Sequence, residues 1–224
     1  MLLGAALSVA AQDLDALLKD HVVNGRVDYR ALKADPAPLK TYLAEAGAVT
    51  ESTFGGWSEQ QQLAFLINLY NAATLQLIVD HYPVESIKDI GSFFKGPWDQ
   101  PAVPMFGKTI TLNTLEHKII RPQYNEPRVH MALVCAAKGC PLLRSEAYTA
   151  ERLNEQLDDQ SRQYLATPAG LVIDRNKGTA SISSIFKWYG DDFASVPTFV
   201  EMYSGESIDG LKIKYLSYDW SLNE

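Results

Sequence analysis

The residue types able to perform nucleophilic or acid–base chemistry concentrate in residues 128–144, which read RVHMALVCAAKGCPLLR. This stretch holds both cysteines of the chain and His130, one of its four histidines. A cysteine attacks through its thiolate, and a nearby histidine activates it by taking the proton. Cys135 and Cys140, with His130 as base, therefore form a candidate site for amide hydrolysis or acyl transfer.

The separation of five residues between the cysteines also allows other states. In an oxidising compartment they can form a disulfide that closes a small loop, whereas in a reducing cytosol they stay thiols. Zinc is a further alternative, but the close CxxC and HExxH spacings that identify zinc sites do not occur in the sequence, and we expect no metal. Cys140 precedes Pro141, a residue favoured in the first turn of a helix, where backbone amides stabilise a thiolate.

A buried strand is predicted to position His130 and Cys135. Residues 129–134 are mostly apolar and β-compatible, and they lie between Pro127 and a turn signal at residues 139–141. Successive side chains of a strand point to opposite faces, so residues five positions apart face opposite ways. The predicted strand therefore counts against a direct pair between His130 and Cys135.

His117 offers a second base, in a short helix predicted from Asn113 to Pro122. Asn113 and Glu116 fit a capping box, which gives Glu116 a structural role as the alternative to orienting a histidine. Adjacent helical residues point about 100° apart, so Glu116 and His117 would not share one target. Because a direct pair of His130 with Cys135 is disfavoured, His117 and the turn at Cys140 become the better candidates for the base and the nucleophile.

The strongest helix signal runs from Ser58 to Tyr82. Ser58 and Gln61 form a capping box, Pro83 prevents continuation, and the residues between are apolar on nearly every face, which is typical of a buried central helix. Its exceptions, Asn68 and Asn71, lie on one face, and buried amides must be hydrogen-bonded. They either tie neighbouring loops to the helix or line a polar cleft.

Composition excludes several classes of function. The chain has 224 residues and a formal net charge of -7, so it lacks the basic excess that nucleic-acid binding needs. GxGxxG, Walker-type and GxSxG motifs do not occur, and we expect no cofactor. The adjacent acids Asp191 and Asp192 follow Gly190 and are predicted to cap a helix rather than to act as glycosidase acids.

The first residues, MLLGAALSVAAQ, resemble the apolar region and small-residue cleavage site of a secretory signal, without its basic start. We expect residues 1–11 to be a truncated signal peptide and residues 12–224 to form one domain. The protein is then periplasmic or secreted, or cytoplasmic if this run is not a signal. We expect no stable membrane insertion, because the run is too short to span a bilayer.

The order of the elements predicts an α+β fold. Helices come first, and hairpins at residues 103–111 and 171–182 are mixed with later helices, without regular βαβ alternation. The expected architecture is a single domain in which the long central helix packs against a small, mostly antiparallel sheet and surrounding helices.

Several motifs, taken in order, resemble the DUF547 family. They are NGRVDYRALK at 24–33, LAFLINLYNAATL at 63–75, HYPVESIKDIG at 81–91, LEHKIIRP at 115–122, RVHMALVCAAKGCPLLR, SSIFKWYGDDF at 183–193 and YDWSLN at 218–223. Bacterial members of that family typically carry a secretory signal before one such domain, and plant relatives join it to leucine-zipper segments. The resemblance implies a set of motif residues that could line one site: Asn68, Tyr70, Asn71, Glu116, His117, His130, Cys135, Cys140, Lys187 and Trp188.

Two hypotheses of function follow. The first is a thiol-dependent hydrolase or acyltransferase acting on an amide or peptide-type substrate, with a cysteine nucleophile, histidine as base, and Glu116 or an asparagine as the orienting group. The second is a non-catalytic binding or interaction module with a structural disulfide between Cys135 and Cys140. In both, the partner is a small molecule or a peptide.

Overall fold

The computed structural model describes residues 13–92 and 94–224. The predicted signal peptide lies outside the described residues. The predicted α+β single domain is confirmed, with helices surrounding one long buried helix and three small sheets.

Helices form most of the regular structure. Residues 13–21 form helix α1. It is followed by α2 (Tyr29–Ala34), α3 (Ala37–Ala48), α4 (Glu51–Gly55), α5 (Glu59–His81), α6 (Leu112–Thr114), a π-helix (Leu115–Ile120), α7 (Arg121–Gln123), α8 (Val129–Ala132), α9 (Leu153–Leu165), α10 (Ile185–Trp188) and α11 (Val196–Ser204). Short 3₁₀ turns occur at Ile87–Asp89, Pro97–Asp99 and Gly190–Asp192.

The strands form small sheets, mostly antiparallel. They are β1 (Val22–Val23), β2 (Arg26–Val27), β3 (Pro101–Met105), β4 (Lys108–Thr111), β5 (Leu171–Asp174), β6 (Thr179–Ile182) and β7 (Lys212–Tyr215). β1 pairs with β2, β3 with β4, and β5 with β6, all antiparallel, while β7 joins β6 in parallel. Both predicted hairpins are therefore present.

Helix α5 is the central element, as predicted. Ser58 and Gln61 form the predicted capping box, and the helix ends at His81, before Pro83. It packs against α2, α3, β3 and the π-helix. By length and composition it could cross a membrane, but 94% of its most apolar window is buried inside the protein, which is typical of the core helix of a globular domain.

The core consists of two apolar clusters. The larger surrounds α5, and the smaller includes Met131, Tyr164 and Phe186 together with residues of β6 and α11. Tyr218 packs against both clusters. The C-terminal segment thus connects the part of the chain around α5 with the part around β6.

The strand predicted at residues 129–134 is wrong, because this segment forms the single helical turn α8. The N–H of Leu133 donates to the carbonyl of Val129 at 2.9 Å. The amide of Asn71 pairs with two further backbone groups of the segment, accepting from the Val134 N–H at 2.9 Å and donating to the Ala132 carbonyl at 3.0 Å. The Asn71 side chain of α5 thus makes hydrogen bonds that a neighbouring strand would otherwise make. Because the segment is not a strand, His130 and Cys135 are not forced to face opposite ways.

The helix predicted from Asn113 begins one residue earlier and is capped differently. Its N-cap is Thr111, whose hydroxyl accepts the Thr114 N–H at 3.0 Å, while the Asn113 amide donates to Asp99 at 2.7 Å. The predicted capping box of Asn113 with Glu116 is therefore wrong. Residues 115–120 adopt π-helical geometry, a rare form often found at functional sites.

Candidate ligand-binding site

A cavity of about 280 Å³ opens where α5, the π-helix, α8 and the C-terminal segment meet. Its size is at the lower end of the range for small-molecule sites, roughly 300 Å³ and above. Among the described residues, its walls are mainly aromatic, from Tyr70, Trp98, Trp188, Tyr189, Tyr218 and Trp220. Polar groups come from Asn113, Glu116, His117 and His130, and the remainder of the lining is Leu133, Cys135, Cys140, Pro141 and Ile185.

Glu116 places a buried carboxylate in this cavity. The residue is 5% exposed, and the Tyr70 hydroxyl donates to its Oε2 at 3.2 Å. Burial raises the pKa of Tyr70 well above its ordinary value, and the charge of Glu116 raises it further, so the hydroxyl stays protonated. The pKa of Tyr189 is raised by the same two causes. Glu116 is thus held among phenols that remain neutral donors.

His130 is hydrogen-bonded to Asp192, whose carboxylate in turn pairs with Arg121. Its Nε2 lies 2.7 Å from Oδ2 of Asp192, and Arg121 donates to both oxygens of that carboxylate, at 2.6 and 2.8 Å. The imidazole also stacks on Tyr189, with ring centroids 4.1 Å apart. The ring is therefore fixed in position on two sides.

The hydrogen bonds of the two cavity histidines fix which ring nitrogen is the donor. Burial lowers the pKa of His130, against the opposing hydrogen bond to Asp192, so Nε2 donates its proton to the carboxylate and Nδ1 is the unprotonated nitrogen. Arg121 also donates to Nδ1 of His117 at 2.9 Å. Because a guanidinium cannot accept, His117 carries its proton on Nε2. The pKa of Asp192 is lowered, chiefly by the hydrogen bond from Arg121, so this carboxyl group stays ionised.

The two cysteines form a disulfide in the cavity wall. The N–H of Cys135 donates to Sγ of Cys140 at 2.9 Å, and the Tyr218 hydroxyl lies 3.1 Å from Sγ of Cys135. In this state neither sulfur is a thiolate, so neither can act as a nucleophile. The disulfide of the second hypothesis is the state that the structure shows.

The aromatic residues support one another as a continuous wall. Tyr218 contacts Trp220 and Trp188 with ring centroids 4.6 and 4.9 Å apart, and Trp98 meets Trp220 edge-on at 5.6 Å. The exposed Lys88 places its Nζ 4.0 Å from the centroid of Trp220. This wall therefore already binds one cation of the chain itself.

Most of the predicted site residues meet in the cavity. All five of the predicted catalytic residues line it, as do Tyr70 and Trp188 from the motif residues that the family resemblance named; the five are Glu116, His117, His130, Cys135 and Cys140. Glu116 and His117 were expected to have different targets, but both line the same cavity. Both residues belong to the π-helix, whose turns are wider than those of the α-helix assumed in the prediction.

Three predicted residues lie elsewhere. Asn68 and Asn71 are not among the described lining residues of the cavity. The Asn68 amide donates to the Tyr148 carbonyl at 2.8 Å and accepts from the Tyr148 N–H at 2.9 Å. The Asn71 amide binds the backbone at Ala132 and Val134. Tying loops to α5 was one of the two alternatives for these amides. Lys187 points its Nζ toward the ring of Tyr215, 5.9 Å from the centroid.

Sequence reasoning missed Asp192 and Arg121, which fix the histidines. Asp192 was predicted to be a helix cap, but no capping hydrogen bond forms at its 3₁₀ turn, and its carboxylate binds His130 and Arg121. The signal was present in the motif SSIFKWYGDDF, which carries an acid beside two aromatic residues that line the site. Nothing in the spacing of Arg121 and Asp192, 71 residues apart, could pair them.

The described parts of the chain contain no group of three or more His, Cys, Asp or Glu residues placed to hold a metal ion. The polar groups of the cavity are instead spread among aromatic rings. Such a lining is typical of sites for small organic molecules.

Comparison with known proteins gives a family without an assigned activity. The model of the family described as "Protein of unknown function, DUF547" matches residues 54–165. No curated protein and no solved structure matches the chain. The matched half of the chain contains α5, the π-helix, α8 and both cysteines. The chain therefore belongs to the DUF547 family.

Proposed function

We propose that the domain binds a small organic molecule with a positively charged amine. The observation that carries this proposal is the buried carboxylate of Glu116 inside an aromatic cavity. Aromatic faces attract cations through their quadrupole, by about 0.5–2 kcal/mol for each well-placed ring, and most strongly away from water. A carboxylate among such rings supplies the opposite charge.

The charges around the cavity support this choice. Among its described lining residues, Glu116 is the one carboxylate, and neither Lys nor Arg occurs. Behind the lining, Arg121 and Asp192 compensate each other in a two-bond ion pair. Burial lowers the pKa of His130, which disfavours a positive charge on this ring. Among the described residues no Lys or Arg forms a direct ion pair with Glu116, although the charge of Glu116 contributes to raising the pKa of Arg121. An amine in the cavity would pair with this carboxylate directly.

The contact between Lys88 and Trp220 supports the same ligand chemistry, because it shows an ammonium group already held by a ring of this wall. The volume of about 280 Å³ limits the ligand to roughly the size of an amino acid or a small amine. With the disulfide formed, the proposal agrees with the binding-module hypothesis.

Tryptophan fluorescence can test this binding, because three tryptophans line the cavity. The probes are choline and its neutral isostere 3,3-dimethyl-1-butanol, which have nearly the same shape. We expect choline to change the fluorescence saturably and to bind about tenfold or more tightly than the alcohol, a difference of about 1.4 kcal/mol. Equal affinity for the two probes, or binding of the alcohol alone, contradicts the proposal.

The matched variants are Glu116→Gln and Glu45→Gln. In Glu116→Gln the amide oxygen could still accept from Tyr70, so the fold should persist while the charge is lost. Glu45 is exposed on α3 and does not line the cavity. The preference for choline should disappear in Glu116→Gln and remain in Glu45→Gln.

A thiol-dependent hydrolase or acyltransferase is the second candidate, favoured because both cysteines line the same cavity as His117 and His130. It requires reduction, because the nucleophile must be a thiolate. Incubation of the reduced protein with a set of activated amides and thioesters, against Cys135→Ser and Cys140→Ser, tests it. Acyl-enzyme detected by mass spectrometry on one cysteine supports this activity, and turnover retained in both variants contradicts it.

We further propose that residues 1–11 direct export and that residues 12–224 form the mature domain. A disulfide supports this, because such bonds persist mainly outside the reducing cytosol. Fractionation of cells producing the full chain, with N-terminal sequencing of the product, tests it. A mature protein beginning near residue 12 in the exported fraction is expected, and an uncleaved cytosolic chain would contradict it.

A further inference from the structure

The disulfide between Cys135 and Cys140 lies where a bound molecule can reach it. Both residues line the cavity, and Cys135 is the more exposed of the two, since Cys140 is 4% exposed. A disulfide with a purely structural role needs no access to a ligand site. Its position gives a bound molecule access to the bond between the two sulfurs.

We propose that this disulfide exchanges with a small thiol bound in the cavity. The thiolate of the ligand attacks Sγ of Cys135, the bond between the two protein sulfurs breaks, and Cys140 leaves as a thiolate that takes up one proton. A second molecule of thiol then attacks the ligand sulfur of the mixed disulfide and releases Cys135. In sum, two thiols are oxidised to one disulfide, and the protein disulfide is reduced to two thiols.

The backbone favours Cys140 as the leaving sulfur. The N–H of Cys135 points at Sγ of Cys140 from 2.9 Å. A hydrogen bond to a charged acceptor is roughly twice as strong as one to a neutral acceptor, so this donor stabilises the thiolate more than the disulfide. A better-stabilised leaving thiolate departs faster. Cys135 is then the sulfur that is attacked.

Tyr218 holds the attacked sulfur. Its hydroxyl lies 3.1 Å from Sγ of Cys135, and because a disulfide sulfur has no hydrogen, the hydroxyl is the donor. Burial raises the pKa of Tyr218 well above its ordinary value, which keeps that proton in place. Tyr218 is therefore a positioning residue for exchange.

The loop between the cysteines is held without the disulfide. The N–H groups of Lys138 and Gly139 donate to the carbonyls of Ser221 and Asp219, each at 2.8 Å, and the Cys140 N–H donates to Ala137 at 3.0 Å. These bonds remain when the sulfurs separate. The two thiols therefore stay close enough to re-form the disulfide, which makes the exchange reversible.

The charge of the cavity predicts which class of thiol reacts fastest, and this prediction rests on the proposed function. Glu116 favours a thiol that also carries an ammonium group over one that carries an anion. The probes are cysteamine, 2-mercaptoethanol and 2-mercaptoethanesulfonate, which are cationic, neutral and anionic. Each rate is divided by the rate of the same thiol with bis(2-hydroxyethyl) disulfide, which removes differences in intrinsic reactivity.

The test is the rate of reduction in the folded protein, followed by mapping of the trapped adduct. We expect the normalised rate with 2-mercaptoethanol to be insensitive to low concentrations of urea, and the mixed disulfide to map to Cys135 with Cys140 open to alkylation. Reduction only through unfolding, seen as a rate that rises steeply with urea, overturns the proposal. An adduct on Cys140 overturns the assignment of the leaving sulfur.

Variants separate this proposal from the proposed function. Tyr218→Phe should slow exchange by about 3- to 10-fold, the loss of one hydrogen bond, while Tyr215→Phe, on the exposed strand β7, should not. Unchanged exchange in Tyr218→Phe contradicts its positioning role. Folded-state exchange without a preference for cysteamine supports the exchange and contradicts only the cation site, whereas resistance to all three thiols contradicts the exchange alone.

Discussion

Nε2 of His130 donates to Oδ2 of Asp192 at 2.7 Å, and the same carboxylate receives two hydrogen bonds from Arg121. This contact links α8 to the 3₁₀ turn at residues 190–192, across 62 positions of the chain. It fixes one tautomer of a cavity histidine and keeps the nearby positive charge of Arg121 paired. The polarity of the cavity depends on this contact.

Asp192→Asn should destabilise the protein by about 2–3 kcal/mol, since hydrogen bonds to charged groups contribute about 1.5–3 kcal/mol each and Arg121 is left without its anion. Urea denaturation measures the change. Asp191→Asn is the matched control, because Asp191 is exposed and should change stability by less than about 0.5 kcal/mol. Equal effects of the two variants would show that the contact does not hold the site.

The pKa of the His130 imidazole should lie below its ordinary value of 6.5, because burial disfavours the charged ring. The folded state then binds this proton less readily than the unfolded state. Its contribution to stability is therefore complete above pH 6.5 and is lost as the pH falls toward the folded pKa. NMR titration of the imidazole measures the midpoint, with His130→Gln assigning the signal. A midpoint at or above 6.5 would contradict this environment.

Asn71→Ala should cost about 2–3 kcal/mol, because it removes two hydrogen bonds and leaves the Val134 N–H and the Ala132 carbonyl buried without partners. Thermal or urea unfolding measures the loss. The control is Asn176→Ala, in the exposed turn between β5 and β6. If Asn71→Ala were as mild as the control, α8 would not depend on α5 for its position.

The double variant Cys135→Ser with Cys140→Ser should keep the fold and lose about 2 kcal/mol, since a disulfide across so few residues restricts the unfolded chain only modestly. Far-UV circular dichroism and urea denaturation measure the two quantities. Loss of the native spectrum would mean that the loop depends on the disulfide rather than on its backbone hydrogen bonds.

The central helix and both hairpins could be predicted because local signals mark their ends. Ser58, Gln61 and Pro83 fix α5 through capping and the loss of a donor, which depend on residues close in sequence. The segment at 129–134 could not be predicted in this way. Its conformation depends on Asn71, 61 residues from Ala132, which satisfies backbone groups that otherwise need a strand.

The sequence indicated which residues belong to the site, but not how they are arranged or which partners hold them. The motifs that resemble the DUF547 family named Glu116, His117, His130 and both cysteines, and the fold brings them to one cavity. The partners of these residues were missed, because Asp192 and Tyr218 reach the site through long-range packing. The sequence also allowed thiols and a disulfide equally, since the choice depends on how closely the fold brings the cysteines together.

The cation site is tested most directly by a double cycle in which the charge of the ligand and the charge of the protein are removed separately and together. Calorimetric titration measures the affinity of wild type and Glu116→Gln for choline and for 3,3-dimethyl-1-butanol. Because the ligand cation and the Glu116 carboxylate interact, we expect the two changes to be coupled: wild type prefers choline by about 1.4 kcal/mol or more, and Glu116→Gln shows almost no preference. The same preference in both proteins, or none in wild type, would contradict the assignment of the cavity to an organic cation.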